Sequence, residues 1–138
     1  MQKLLQTTAL LVIDVQVGFD SPKWGQRNNP QAEDNIYSLL QHWRQLNSSI
    51  IHVQHLSTEP NSPLRPNQSG CEFKEIARPH QDEPIIQKNV NSAFIGTNRK
   101  RYLRDRGIDS LVIIVKSYFE NTKCFQLFGV VHQVQTAY

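Results

Sequence analysis

The apolar positions of this chain fall into short runs divided by polar stretches. Ala9 to Val15 reads ALLVIDV, apolar throughout except for Asp14. A run without polar alternation predicts a strand covered on both faces, as in a parallel sheet. Gly18 to Asn29 reads as a polar loop carrying Phe19 and Trp24. A helix then opens, with Asn29 as N-cap, Pro30 at the first helical position, and Glu33 and Asp34 in the first turn. Its apolar face is Ile36, Leu39, Leu40 and Trp43 at helical spacing, and Asn47 and Ser48 end it. Ser49 to Gln54 (SIIHVQ) reads as the second strand. Leu56 to Asp82 is a long loop containing Pro60, Pro63, Pro66 and Pro79. A loop of this length inside a compact domain is usually functional. Pro84 to Gln87 opens a short third strand that ends near Lys88. Thr97 caps a second helix running through Arg106, stopped by Gly107, and Ser110 to Val115 is the fourth strand. Strands alternating with helices and loops predict a parallel α/β sheet with right-handed crossovers.

Composition narrows the class. The 138 residues suit one domain, and no apolar run approaches the roughly 18 residues that cross a bilayer. The amino-terminal MQKLLQTTALLVIDVQ has no small-residue cleavage site, so its apolar run reads as a core strand and the protein is expected in the cytoplasm. The net charge is +3. Basic residues cluster only at Arg99, Lys100, Arg101, Arg104 and Arg106, which read as the solvated face of a surface helix. No nucleic-acid motif accompanies them, and neither nucleic acid nor membrane is expected as a partner. The two cysteines, Cys71 and Cys124, match no zinc spacing. No glycine-rich phosphate loop is present. No cofactor and no metal are expected.

The chemistry concentrates at the strand ends. A carboxylate at Asp14, closing a buried strand, costs several kcal/mol to bury unless something uses it. Lys88 closes another strand. An acid and a base at the ends of two strands is how an open α/β sheet builds a site. The lysine keeps the carboxylate ionised, and the carboxylate is placed to take a proton from a thiol. The plainer alternative is a buried ion pair that fixes the loops. Phe19 and Trp24 read either as an apolar wall of a substrate pocket or as core. Asn91, Ser92 and Phe94 follow Lys88 and set the loop that aims it, with Phe94 a further substrate contact. His52 and His55 read as satisfied structural histidines. Cys71, in the long loop, reads as an incidental thiol.

Several segments together resemble a known family: LLVIDVQVGF (Leu10 to Phe19), WGQRNNPQAEDNI (Trp24 to Ile36), IIHVQHLS (Ile50 to Ser57), EPNSPLRP (Glu59 to Pro66), IIQKNVNSAFIGT (Ile85 to Thr97) and LRDRGIDSLVIIV (Leu103 to Val115). In series they resemble the isochorismatase-like cysteine hydrolases, from Leu10 to Val115 almost without gaps. The resemblance implies a three-layer α/β/α, Rossmann-like open parallel sheet. Its strand order here would be 3-2-1-4, with the family's strands 5 and 6 missing. It implies a catalytic triad of Asp, Lys and Cys, carried onto Asp14 and Lys88, and a small amide, N-carbamoyl or vinyl-ether substrate. The cysteine is implied in a Gly-x-x-Thr-x-x-Cys-Val turn opening a helix after the fourth strand. A helix N-terminus there would lower the thiol pKa, and backbone N–H groups would form an oxyanion hole.

After Val115 the chain departs from that pattern. It reads KSYFENTKCFQLFGVVHQVQTAY, with Lys116 where the glycine is implied. The implied nucleophile position falls near Thr122, and Cys124 stands two residues later between Lys123 and Phe125. Residues 1–115 therefore read as the amino-terminal part of the hydrolase domain and 116–138 as an atypical tail. The fourth strand is left as an apolar edge, to be covered by the tail or by a second subunit, and a homo-oligomer is expected. Two functions follow, beside a weaker third, a nucleic-acid contact through the Arg99 to Arg106 cluster. One is a hydrolase using Asp14, Lys88 and a displaced Cys124. The other is an inactive truncated homologue that binds a ligand or partner subunits.

Overall fold

A computed structural model describes residues 6–20, 31–89, 103–119 and 122–131, the last two segments from residue 115 onward by their backbone alone. The strands are β1 (Thr8–Ile13), β2 (Ile50–His55), β3 (Ile85–Lys88), β4 (Ser110–Phe119) and β5 (Thr122–Val131), and α1 is Ala32–Gln45. They form one sheet in the order β3-β2-β1-β4-β5. The first four strands of that order are parallel, giving the expected 3-2-1-4 core. All six residues of β1 are buried, as a central strand with cover on both faces requires.

Alternate residues along each strand serve opposite faces. Leu10, Val12, Ile50, Val112 and Ile114 pack with Ile36, Leu40 and Trp43 of α1. Ala9, Leu11, Ile13, Ile51 and Ile113 pack on the other side with Leu103 and Ile108. Trp43 also donates its indole N–H to the Thr8 carbonyl at 3.1 Å, which pins α1 to the start of β1.

The helix stops are built as the sequence suggests. Asn47 adopts the left-handed conformation (φ 51°) after α1. Its N–H bonds the Arg44 carbonyl and that of Ser48 bonds the Trp43 carbonyl, the paired closure that satisfies the last carbonyls of a helix. Gly107 (φ 69°) does the same after Leu103–Asp105, with Ile108 folding back to the Leu103 carbonyl. Residues 97–102 of the expected second helix, like Asn29 and Pro30, lie outside the described residues.

Two expectations are corrected. β1 ends at Ile13 rather than running to Val15, because Asp14 turns to φ 61° and leaves the ladder. The fourth strand does not stop at Val115, and of the two covers expected for its edge the structure supplies the tail. It continues to Phe119, and β5 pairs with it antiparallel from Phe119↔Thr122 to Leu111↔Val131, with an irregularity between Val112 and Ile114. β4 runs across residues 115 and 116. Thr, Phe and Val are strong strand formers, and hydrogen-bonding the free edge of β4 satisfies its backbone groups.

Candidate active site

The carboxyl ends of β1, β2 and β3 converge on one charged pair. Lys88 Nζ lies 3.1 Å from Asp14 Oδ2, with side-chain exposures of 3% and 12%. Register dictates the meeting. Ile13 pairs with Val53, the Asp14 N–H donates to the Val53 carbonyl at 3.0 Å, and Lys88 pairs with His55 at the end of β2. The left-handed backbone of Asp14 costs about 1–2 kcal/mol for a residue with a Cβ. Such strain persists where the surroundings over-determine it, and it clusters at functional sites. Here it aims the carboxylate across the end of β2 at Lys88.

Gln16, just beyond β1 and unmarked by any local pattern, organises the surroundings. Its side chain is wholly buried. The amide N–H groups donate to the His55 carbonyl at 2.9 Å and the Cys71 carbonyl at 2.8 Å, while its oxygen accepts from the His55 N–H at 2.8 Å. Gln54 donates to the same Cys71 carbonyl at 2.9 Å. The long loop is thereby tied to the strand ends, reinforced by the Gln16–Phe73 bridge and by Val17 N–H to the Glu72 carbonyl. Within the loop, Gly70 lets the chain pack on itself, since a Cβ there would stand 2.0 Å from the Pro63 carbonyl oxygen. Lys74 completes the docking, with its Nζ 2.7 Å from Asp20 and 2.6 Å from Glu33.

Other sequence candidates fall as follows. Phe19 is buried in the 3-10 turn Val17–Asp20. Trp24 and Phe94 lie outside the described residues. Cys71 is buried among Gln16, Gln54 and the His55 carbonyl, and burial, helped by Glu72, pushes its thiol pKa up, which suits an inert packing group. Cys124 sits in β5 opposite Ser117, in strand backbone rather than at a turn opening a helix. Two strand spacings, about 10 Å, separate β5 from β1.

His52 is indeed a satisfied core histidine on one side. Its Nε2 lies 2.8 Å from Glu83 Oε1. Burial lowers its pKa, outweighing the pull of Glu83, so the ring is neutral at pH 7. Burial pushes the Glu83 carboxyl up, but Arg44, the His80 N–H and His52 hold it down to about 2. This cluster borders a cavity of about 490 Å³ lined by Arg44, Ser49, Ile50, His80, Glu83 and Pro84 among others. The cavity lies at the amino ends of β2 and β3, whereas open α/β sheets react at the carboxyl ends. His80, Asp82 and Glu83 bring ligand atoms within 4.8 Å of one another there. Both Glu83 oxygens already serve Arg44, so a cation would have to break that pairing.

A mostly parallel sheet with an acid–lysine pair at the carboxyl ends of its strands is where open α/β proteins place their sites. The Isochorismatase domain profile matches residues 8–114. The isochorismatase family protein YrdC of Bacillus subtilis (strain 168) is 46% identical over 105 residues, covering 76% of this chain and 56% of that protein. A second from the same organism, YddQ, is 37% identical over 110 residues, covering 78% and 61%. The crystal structure of a protein described as a hydrolase of this family, from Chromobacterium violaceum, superposes with a TM-score of 0.74 at 46% identity, covering 78% of this chain and 56% of the other. The chain belongs to the isochorismatase family. It spans little more than half the length of the relatives it matches. No helix among the described residues is long and apolar enough to cross a membrane.

Proposed function

We propose that Asp14 and Lys88 form the acid–base half of a hydrolase site for a small amide, carbamoyl or vinyl-ether substrate. The observation that carries this reading is the buried 3.1 Å pair at the carboxyl edge of the sheet, made by a strained aspartate. Lys88 keeps Asp14 ionised as a proton acceptor. For an amide substrate, Asp14 takes the proton of a thiol, the thiolate attacks the carbonyl carbon, and the amine leaves with that proton. Water then hydrolyses the thioester. Cys124 is the candidate thiol.

A second reading has its own support. Cys124 stands in strand backbone about two strand spacings from β1, and a small misplacement of a catalytic group costs orders of magnitude in rate. On this reading the chain binds its ligand, or a second copy of itself, without turnover.

Alkylation of the full chain by iodoacetamide across pH, with peptide mapping to separate Cys124 from Cys71, decides between the two. Rapid labelling of Cys124 with a depressed pKa, slowed by Asp14→Asn and Lys88→Met, supports the hydrolase. Labelling like a free thiol, with a pKa near about 8.5, supports the inactive homologue.

A further inference from the structure

His55 was expected to be a satisfied structural histidine, and the structure gives its backbone and its ring different fates. Gln16 grips the backbone from both sides, accepting from its N–H and donating to its carbonyl. The ring makes no hydrogen bond among the described residues and is half-buried. Directly paired residues on neighbouring parallel strands present their side chains on the same face, and His55 pairs with Lys88. The imidazole therefore lies on the Lys88 face of the sheet on a fixed backbone, half-buried and within electrostatic reach of the Asp14–Lys88 pair.

Its charged surroundings come from three elements: Asp14 after β1, Lys88 on β3 and Glu59 in the long loop. Burial is the largest influence and lowers the ring's pKa, with Asp14 and Glu59 opposing and Lys88 assisting. The ring is neutral at pH 7 and offers one N–H donor. Asp14 and Lys88 balance each other in charge, and Glu59 disfavours an anion. A neutral ligand fits, and an amide fits best: its oxygen can accept from the imidazole while its N–H groups face the Asp14 carboxylate.

We propose that His55 is a specificity residue of this site, donating a hydrogen bond from its imidazole N–H to the carbonyl oxygen of a neutral amide held against the Asp14–Lys88 pair. The inference rests on the reading of that pair as a ligand site. It names a contact made outside the acid–base pair and the thiol.

The test is titration of the full chain with benzamide, followed by ligand-detected NMR. His55→Phe keeps a ring and removes the donor, and is expected to weaken binding about tenfold, the loss of one hydrogen bond. His55→Gln keeps an N–H donor and is expected to stay within about threefold of the parent. In the unaltered chain, benzamide is expected to protect His55 from diethyl pyrocarbonate, a readout that needs no variant to fold. Unchanged affinity in His55→Phe, equal loss in both variants, or no protection overturns the role of His55, while weakening by Asp14→Asn leaves the site standing. Absence of saturable binding, or binding indifferent to Asp14→Asn, overturns the site and the inference together.

Discussion

Replacing Glu83 by glutamine removes a charge and keeps the shape, so it isolates what the buried carboxylate contributes. Arg44 Nε lies 2.7 Å from one oxygen and Arg44 Nη2 2.8 Å from the other, which also meets His52 Nε2 at 2.8 Å and the His80 N–H at 3.1 Å. These partners hold the carboxyl at about 2 against an ordinary 4.5. At about 1.4 kcal/mol for each tenfold difference in proton affinity, the preference of the fold for the ionised form is about 3 kcal/mol at pH 7. A carboxyl whose pKa is depressed by folding stabilises fully above 4.5, and that stability is lost as pH falls through about 2. Glu83→Gln is therefore expected to lower the unfolding free energy by about 3 kcal/mol at pH 7 and by about 2 kcal/mol at pH 3.5. Urea unfolding followed by tryptophan fluorescence at both pH values measures this. A loss below about 0.5 kcal/mol, the scale of an ordinary surface change, or an equal loss at both pH values, would refute the reasoning.

Other perturbations probe the strand ends and caps. Lys88→Met leaves Asp14 buried without its cation and is expected to cost about 3–5 kcal/mol; adding Asp14→Asn should restore part of it, and a cycle showing simple additivity would deny the coupling. Gln16→Leu leaves the His55 N–H and carbonyl without their amide partner; about 3 kcal/mol should be lost, with faster hydrogen exchange over residues 69–75, and unchanged exchange there would show that the loop is held by other contacts. Asn47→Ala places a side chain that tolerates φ 51° poorly and should cost about 1 kcal/mol, whereas Asn47→Gly should not; equal thermal midpoints for the two variants would contradict the cap. His52 and His55, both lowered below 6.5 by burial, take up protons in the unfolded chain first, so stability should begin to fall as pH drops below about 6.5, and a flat profile between pH 7 and 5 would contradict their burial.

What was legible in the chain was what leaves a local mark. The apolar runs at Ala9 and Leu111 announce strands covered on both faces, and Asp14 stands out as the acid that interrupts the first. Asn47 and Gly107 mark helix stops by their tolerance of left-handed backbone. Gln16, Lys74 and Glu83 left no such mark, because their meaning lies in partners 31 to 55 residues away. A buried glutamine reads like any surface glutamine until its amide is seen to bridge β2 and the loop. β5 went unread for a different reason. Thr122, Phe125, Phe128, Val130 and Val131 favour strand, but Lys123 and Gly129 do not, the tail lacks a clean two-residue alternation, and Glu120-Asn121 is not one of the glycine-bearing pairs that announce a hairpin.

The proposed role of Asp14 and Lys88 is joint action on a small amide, carbamoyl or vinyl-ether compound. The most direct measurement is product formation by the purified full chain from a panel of simple amides, N-carbamoyl amino acids and isochorismate, run beside Asp14→Asn and Lys88→Met. Turnover above the buffer rate is expected for at least one class, reduced by several orders of magnitude in both variants. Turnover that survives both substitutions, or none from any class, would contradict it.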